Sequence, residues 1–248
     1  LTRSEEQAAD SAEKFSNLGA EVISFPTLEI APPDNWQQFD DIVLSHERID
    51  FLIFNSANAV RMSLKRLEDS EINFDFNSVD IIAVGKKTAE ECKRKNIPVK
   101  LIPKDFSSRG LLNELSSYDL KEKIIFIPRS AIGRNELPEG LESMGAVVKT
   151  APVYNVTVPA YETVKPYIEK LEGCKPDLFI FTSPSSFENF LSILNISNPV
   201  EYFKMLTVAA IGPTTKESIE KRQVKVDIIP SEYSVEGLVT AIINYYRK

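Results

Sequence analysis

The chain has 248 residues, 43% hydrophobic and 26% charged, an ordinary globular composition with length for one large domain or two small ones. Its formal charge of −7 argues against a general nucleic-acid binder, which needs a basic face. Two distant cysteines and one histidine leave no zinc-ligand set, and no apolar run approaches the ~20 residues of a membrane helix.

The elements follow in chain order. Leu1-Thr2-Arg3 reads as the tail of a strand that begins upstream, and Ser4 with Gln7 makes a capping box for a helix closed by Leu18-Gly19. "VISFPTLEIAPPDN" (22–35) is extended and proline-interrupted, the composition of a linker. His46, in "LSHERID", reads as a solvated surface residue, which also removes a Ser-His-Asp device. "FLIF" (51–54), "IIAV" (81–84) and "VKLIP" (99–103) are short apolar runs of buried strands. Between the first two, Val60, Leu64 and Leu67 share one helix face. "KIIFIP" (123–128) opens a new strand, and Met144-Gly145 closes the helix after it. "VVKTAPVYNVTVPA" (147–160) is the second long extended stretch. "LFIF" (178–181), "VAAI" (208–211) and "VDIIP" (226–230) are the remaining strand runs. Ser183-Pro184 and Gly212-Pro213 are N-cap and N1 pairs, and Phe187, Leu191 and Leu194 share a helix face.

Read this way, the chain states one plan twice. "IIAVGKKTAEECKRKNIPVKLIPKDFSSRGLL" (81–112) matches "VAAIGPTTKESIEKRQVKVDIIPSEYSVEGLV" (208–239). Asn55 and Thr182, Gly85 and Gly212, Thr88 and Thr215, and Gly110 and Gly237 all keep an offset of 127 residues. The opening segments, "TRSEEQ" and "PRSAIG", correspond at an offset of 126. The expected fold class is α/β: two doubly wound, flavodoxin-like parallel-sheet domains from an internal duplication. One domain is expected over 1–30 plus 160–248 and the other over 36–150, with 22–35 and 147–160 as linker strands in a two-stranded antiparallel ladder.

Ligands of open α/β sheets bind beyond the carboxyl ends of the strands. The residues there are Asn55-Ser56-Ala57-Asn58 and Gly85-Lys86-Lys87-Thr88 in one half, and Thr182-Ser183-Pro184-Ser185 and Gly212-Pro213-Thr214-Thr215 in the other. Arg3 and Arg129 end the opening strands. This set is rich in hydroxyls and amides, has a few cations and lacks the usual acid–base carboxylate pair. It suits an anionic ligand held by helix N-termini and hydroxyls, although each Ser or Thr also serves simply as a helix cap. Tyr154 stands apart in "APVYNVT"; its repeat partner is Leu28, so its hydroxyl belongs to one half only.

"FTSPSSFENFL", "AAIGPTTKESI", "FNSANAV", "AVGKKTAEEC" and "APVYNVT", in their order and spacing, resemble the uroporphyrinogen-III synthase family over nearly the whole chain. The resemblance implies two α/β domains joined by a two-stranded ladder, the first built from both termini. It implies a cofactor-independent lyase without metal that closes hydroxymethylbilane, a linear tetrapyrrole polycarboxylate, with inversion of ring D to give uroporphyrinogen III and water. The course implied is loss of the terminal hydroxyl to an azafulvene cation, attack by the substituted carbon of ring D, and reclosure of a spiro intermediate. By position, Tyr154 matches the tyrosine that assists loss of the hydroxyl, Thr88 and Thr215 match cleft threonines, and Ser56, Ser183, Ser185 and Thr214 match substrate-edge residues. Arg134 matches a cation near the cleft. Asn58 and Thr207 stand where some members carry arginine and lysine, which leaves Lys86, Lys87, Arg3 and Arg129 as substitutes to neutralise the substrate. A cytoplasmic monomer is expected, with reduced thiols, no leader, no membrane or nucleic-acid partner, and a transient contact with hydroxymethylbilane synthase.

Two other readings share the duplicated plan. One is a non-enzymatic two-domain binder of an anionic small molecule, which usually carries a leader or a DNA-binding appendage. The other is a flavodoxin-like flavin or nucleotide binder, whose phosphate loop "LTRSEEQ" does not provide.

Overall fold

The computed structural model describes residues 1–3, 5–45, 48–174 and 176–247. The expectations for His46 and for the Ser4–Gln7 capping box lie outside the described residues. The chain divides into two compact units, one of Leu1–Glu29 with Thr157–Lys248 and one of Ile30–Val156.

The continuous unit is built on a six-stranded sheet. Its opening strand, Glu29–Ala31, is here β3, because β1 (Thr2–Arg3), α1 (Glu5–Ser16) and β2 (Phe25–Pro26) precede it in the other unit. Then come α2 (Gln37–Leu44), β4 (Phe51–Phe54), α3 (Ala57–Asp69), β5 (Asp80–Ala83), α4 (Lys86–Arg94) and β6 (Val99–Leu101). They are followed by α5 (Ser108–Leu115), β7 (Ile124–Ser130), α6 (Glu136–Ser143) and β8 (Val147–Thr157). The strand order is β3-β8-β7-β4-β5-β6, and β8/β7, β7/β4, β4/β5 and β5/β6 are parallel.

The alternation of side chains in "FLIF" explains why helices cover both faces. Leu52 and Phe54 pack with Val60 and Leu67 of α3 and Phe39 of α2. Phe51 and Ile53 pack on the opposite face with Leu111 and Leu115 of α5 and Leu141 of α6. A strand buried on both sides has no room for a polar face, so its sequence is a continuous apolar run.

The second unit continues with α7 (Tyr161–Gly173), β9 (Leu178–Phe181), α8 (Pro184–Ile193), α9 (Pro199–Phe203), β10 (Thr207–Ala210), α10 (Pro213–Lys221) and α11 (Val235–Tyr246). Its parallel sheet has the order β10-β9-β1-β2. Phe181 packs edge-on against Phe187, with ring centroids 5.0 Å apart, inside a cluster that also holds Phe25, Phe190 and Phe203. Ile180 and Ala209 face the other way, toward Leu238 and Ile242 of α11.

One expectation is corrected. "VDIIP" does not form a strand; only a parallel bridge between Ala209 and Ile228 remains. The cause is Asp227, whose carboxylate accepts the Val208 N–H at 3.1 Å, a donor that a neighbouring strand's carbonyl would otherwise take. The matching position in β6 is Lys100, whose ammonium turns outward to pair with Asp80. The stretch 147–160, expected as a linker strand, holds β8, which lies between β3 and β7 in the sheet. From Val147 to Tyr154 it pairs with β7, in register from Ile124↔Val147 to Arg129↔Pro152 and then, after a one-residue shift, Ser130↔Tyr154. Its valines suit a half-buried pleated surface.

Gly145, just beyond α6, has φ +87, the left-handed closure that favours glycine at a helix end. Among the described residues no helix is long and apolar enough to cross a membrane.

Candidate functional site

In the unit of Ile30–Val156, β4, β5 and β7 end at one edge, and the helices after them begin there. Ser56 is the N-cap of α3, and its hydroxyl accepts the Ala59 N–H at 3.1 Å. Tyr154 is only 8% exposed; its ring joins the cluster of Phe54, Ala59 and Val60. Its phenol lies 3.1 Å from the Ser56 hydroxyl. A serine oxygen has one proton and two lone pairs, so Ser56 can hold the Ala59 N–H and Tyr154 together. Ser130, at the end of β7, carries a buried hydroxyl with no hydrogen-bond partner.

The next turn is built on Gly85, the N-cap of α4, with φ +100. That conformation favours glycine, and the residue brings no side chain to cap the helix. Thr88, 4% exposed, donates its hydroxyl to the Val84 carbonyl at 3.1 Å. Lys86 and Lys87 are exposed on the first turn. The Asn58 amide oxygen accepts from Arg61 of the same helix, and Arg61 also pairs with the buried Glu91 of α4 at 3.1 Å.

Arg129 ends β7, and its guanidinium bonds its own loop. It donates to the carbonyls of Arg134 at 3.1 Å and Gly133 at 2.6 Å, and to Asn135 Oδ1 at 2.9 Å. A Cβ at Gly133 would stand 2.8 Å from Arg129 Nε, so the clamp requires glycine there. Arg134 is exposed and borders a cavity of about 240 Å³ that Asn55, Val84, Phe106, Ser108 and Ile127 also line. Phe106 was not singled out from the sequence. The available signal was an aromatic residue just before a serine N-cap, in a segment repeated in the other half.

The corresponding edge of the other unit has its own polar set. Ser183 caps α8, with a bond from Ser186 N at 3.0 Å, and its hydroxyl lies 3.1 Å from that of the exposed Ser185. Gly212 is the N-cap of α10, Thr214 is exposed and Thr215 is 3% exposed. Thr207 begins β10 and pairs with Leu178, so it occupies the opposite end of the strand from Gly212. The side chain of Arg3 lies outside the described ones.

Thus Ser56 and Tyr154 are brought together, and Arg134 and Arg129 share a cavity rim, with Arg129 held by its loop. Thr88 and Thr215 are turned inward. Among the described residues no group of three or more His, Cys, Asp or Glu side chains could hold a metal ion.

A family model described as "Uroporphyrinogen-III synthase HemD" matches residues 9–240. The chain is 28% identical over 250 residues to a uroporphyrinogen-III synthase of Synechococcus elongatus, covering 100% of this chain and 94% of the relative. It is 27% identical over 245 residues to one of Chlorobaculum parvum, with 98% and 96% covered. Among solved structures it is similar in fold to a mutant uroporphyrinogen III synthase of Thermus thermophilus, at TM-score 0.58 and 16% identity, with 99% and 96% of the chains covered. A uroporphyrinogen-III synthetase of Helicobacter pylori superposes at TM-score 0.60 and 18% identity, with 91% and 95% covered.

Proposed function

The chain belongs to the uroporphyrinogen-III synthase family, and on that premise we propose how its own residues carry the reaction. The activity is that of a hydro-lyase of tetrapyrrole biosynthesis. The substrate is hydroxymethylbilane, and the observation that carries the assignment of roles is the 3.1 Å contact between Tyr154 and Ser56.

Ser56 already accepts the Ala59 N–H. With its own proton directed at the phenol oxygen, it leaves the Tyr154 proton free to go to the departing hydroxyl of the substrate. That hydroxyl leaves as water. The phenolate formed keeps the Ser56 hydrogen bond and recovers a proton at reclosure, when the unsubstituted α-carbon of ring D forms the last bond and loses its hydrogen. No strong acid is needed, because the dominant contribution is holding two ends of one molecule together, where proximity is worth about 7–11 kcal/mol.

The groups offered to carboxylates at the strand-end edge are Arg134 and Lys86 in the unit of Ile30–Val156, and Ser183, Ser185 and Thr214 at the corresponding edge of the other unit. Asn58 borders the first of these edges with its amide held toward Arg61. Arg129 positions the Arg134 loop, and Thr88 and Thr215 serve the starts of α4 and α10. The internal duplication belongs to the same reading. It is supported by the shared order of the sheets, β8-β7-β4-β5 in one unit and β2-β1-β9-β10 in the other. We take the protein to be a cytoplasmic monomer that receives its substrate from hydroxymethylbilane synthase.

The test supplies hydroxymethylbilane from a coupled deaminase and separates the products. Isomer III in excess over a protein-free control supports the assignment; isomer I alone overturns it.

A further inference from the structure

Phe106 and Tyr233 occupy equivalent places, 127 residues apart, and both are large aromatics left in solvent, 49% and 62% exposed. Each lies over the glycine that begins the helix at its unit's strand-end edge. The Cβ position of Gly85 is 4.0 Å from Phe106 Cβ and Cγ, and that of Gly212 is 3.5 Å from Tyr233 Cγ. Each stands on a tight turn. Ser107 takes the Gly110 N–H at 3.0 Å and Ser234 takes the Gly237 N–H at 3.0 Å. A Cβ at Gly110 would be 2.5 Å from the Asp105 carbonyl, and one at Gly237 would be 2.1 Å from that of Glu232. Glycine therefore lets both turns close fully, and the ring ahead of each serine is displayed instead of folded into a core.

Exposing an aromatic ring forgoes the stabilisation of burying it, and here it is forgone at the same site in both halves. In the unit of Ile30–Val156 the ring forms one wall of the 240 Å³ cavity, with Arg134 and Asn55 on its rim. An apolar plate beside a cation is complementary to a flat heterocycle with acidic arms. We infer that Phe106 and Tyr233 are stacking plates, each within its own unit, for pyrrole rings of the substrate. This deepens the functional reading above and rests on it for the identity of the ligand.

Steady-state kinetics with hydroxymethylbilane separate the roles. Phe106→Leu keeps the apolar volume and removes the π face; it is expected to raise KM about three- to tenfold with the thermal midpoint unchanged, whereas Phe106→Trp keeps KM within twofold. Tyr233→Leu and Tyr233→Phe are expected to behave as the same pair. Fluorescence gives a second readout independent of turnover. Trp36 is the sole tryptophan of the wild type, so in Phe106→Trp a saturable quenching by uroporphyrin III beyond that of Trp36 reports stacking. An unchanged KM for Phe106→Leu, or a Trp variant as impaired as the Leu variant, overturns the inference, as does absence of the added quenching. Wild-type protein that makes only isomer I while Phe106→Trp is still quenched overturns the reaction assignment and leaves the plates standing.

Discussion

The hydroxyl of Ser56 sits between the Ala59 N–H and the phenol of Tyr154, 3.1 Å from each. One side chain thus caps a helix and holds the phenol at the sheet edge. Tyr154→Phe removes only the phenol, and isomer III turnover is expected to fall roughly ten- to a hundredfold, the scale of a lost positioned proton donor. The fold is expected to lose no more than about 1.5 kcal/mol, the range for one hydrogen bond. Ser56→Ala additionally loses the cap, at a cost of about 1 kcal/mol. Coupled-assay rates alongside urea melts distinguish the two; full turnover in Tyr154→Phe would take the phenol out of the mechanism.

Arg129 is expected to act on Arg134 through the loop. Arg129→Met frees the carbonyls of Gly133 and Arg134, and KM should rise about five- to twentyfold while trypsin gains access after Arg134. Arg129→Lys should not restore either property, since one ammonium lacks the planar fork that meets three acceptors. Normal KM in Arg129→Met would show that the clamp has no bearing on binding.

Thr88 spends its hydroxyl on the Val84 carbonyl. Thr88→Val is therefore expected to keep turnover within threefold and to lose about 0.5–1.5 kcal/mol of stability. A thirtyfold fall in turnover with an unchanged melt would place that hydroxyl on the substrate instead.

The two thiols should differ sharply. Cys92 is buried, and burial followed by the nearby Glu91 charge pushes its thiol up to about 11. Cys174 is exposed. The thiolate is the reactive species, so a colorimetric disulfide reagent at pH 8 should titrate one thiol in the native protein and two in denaturant. Two fast thiols in the native state would contradict the packing of α4.

Asp50 precedes β4 and accepts from Ile124 N at 3.0 Å and Lys123 Nζ at 3.2 Å. Burial alone would raise its carboxyl, but the Ile124 N–H, the Lys123 ammonium and Arg48 outweigh it and hold the group below its ordinary value. Its folded-state value lies below its unfolded one. Its stabilisation is therefore complete above about pH 4 and disappears as pH falls through the folded value. Asp50→Asn should be less stable at pH 7 and should show a shallower loss of stability below pH 4. Parallel stability profiles for the two proteins would dismiss this contribution.

Strand runs buried on both faces were legible because nothing but apolar side chains fits there: "LFIF" is β9 residue for residue. Ser183-Pro184 was legible because its capping chemistry is local. Asp227 was not, since a carboxylate that replaces a ladder carbonyl looks like any charged residue until the neighbouring N–H is placed. Arg129 and Thr88 read as groups facing a ligand; only tertiary geometry reveals that their donors are spent on nearby backbone. Val147–Tyr154 was legible as an extended strand, but its pairing with β7 was not, because which strand an extended segment joins is set by tertiary geometry. Phe106 and Tyr233 lay in plain view within the repeat, but exposure of an aromatic is invisible in composition.

The one-residue shift between β7 and β8 falls just ahead of Tyr154. Successive strand residues point to opposite faces, so Ala151 and Val153 share a side, and an unshifted strand would send the following residue to the other. The extra residue is what lets Val153 and Tyr154 both join the cluster around Phe54 and Val60. Length is thus as strictly constrained here as chemistry: dropping Val153 would return the strand to plain alternation, seat the tyrosine where Val153 now packs and leave the cluster around Phe54 and Val60 one side chain short.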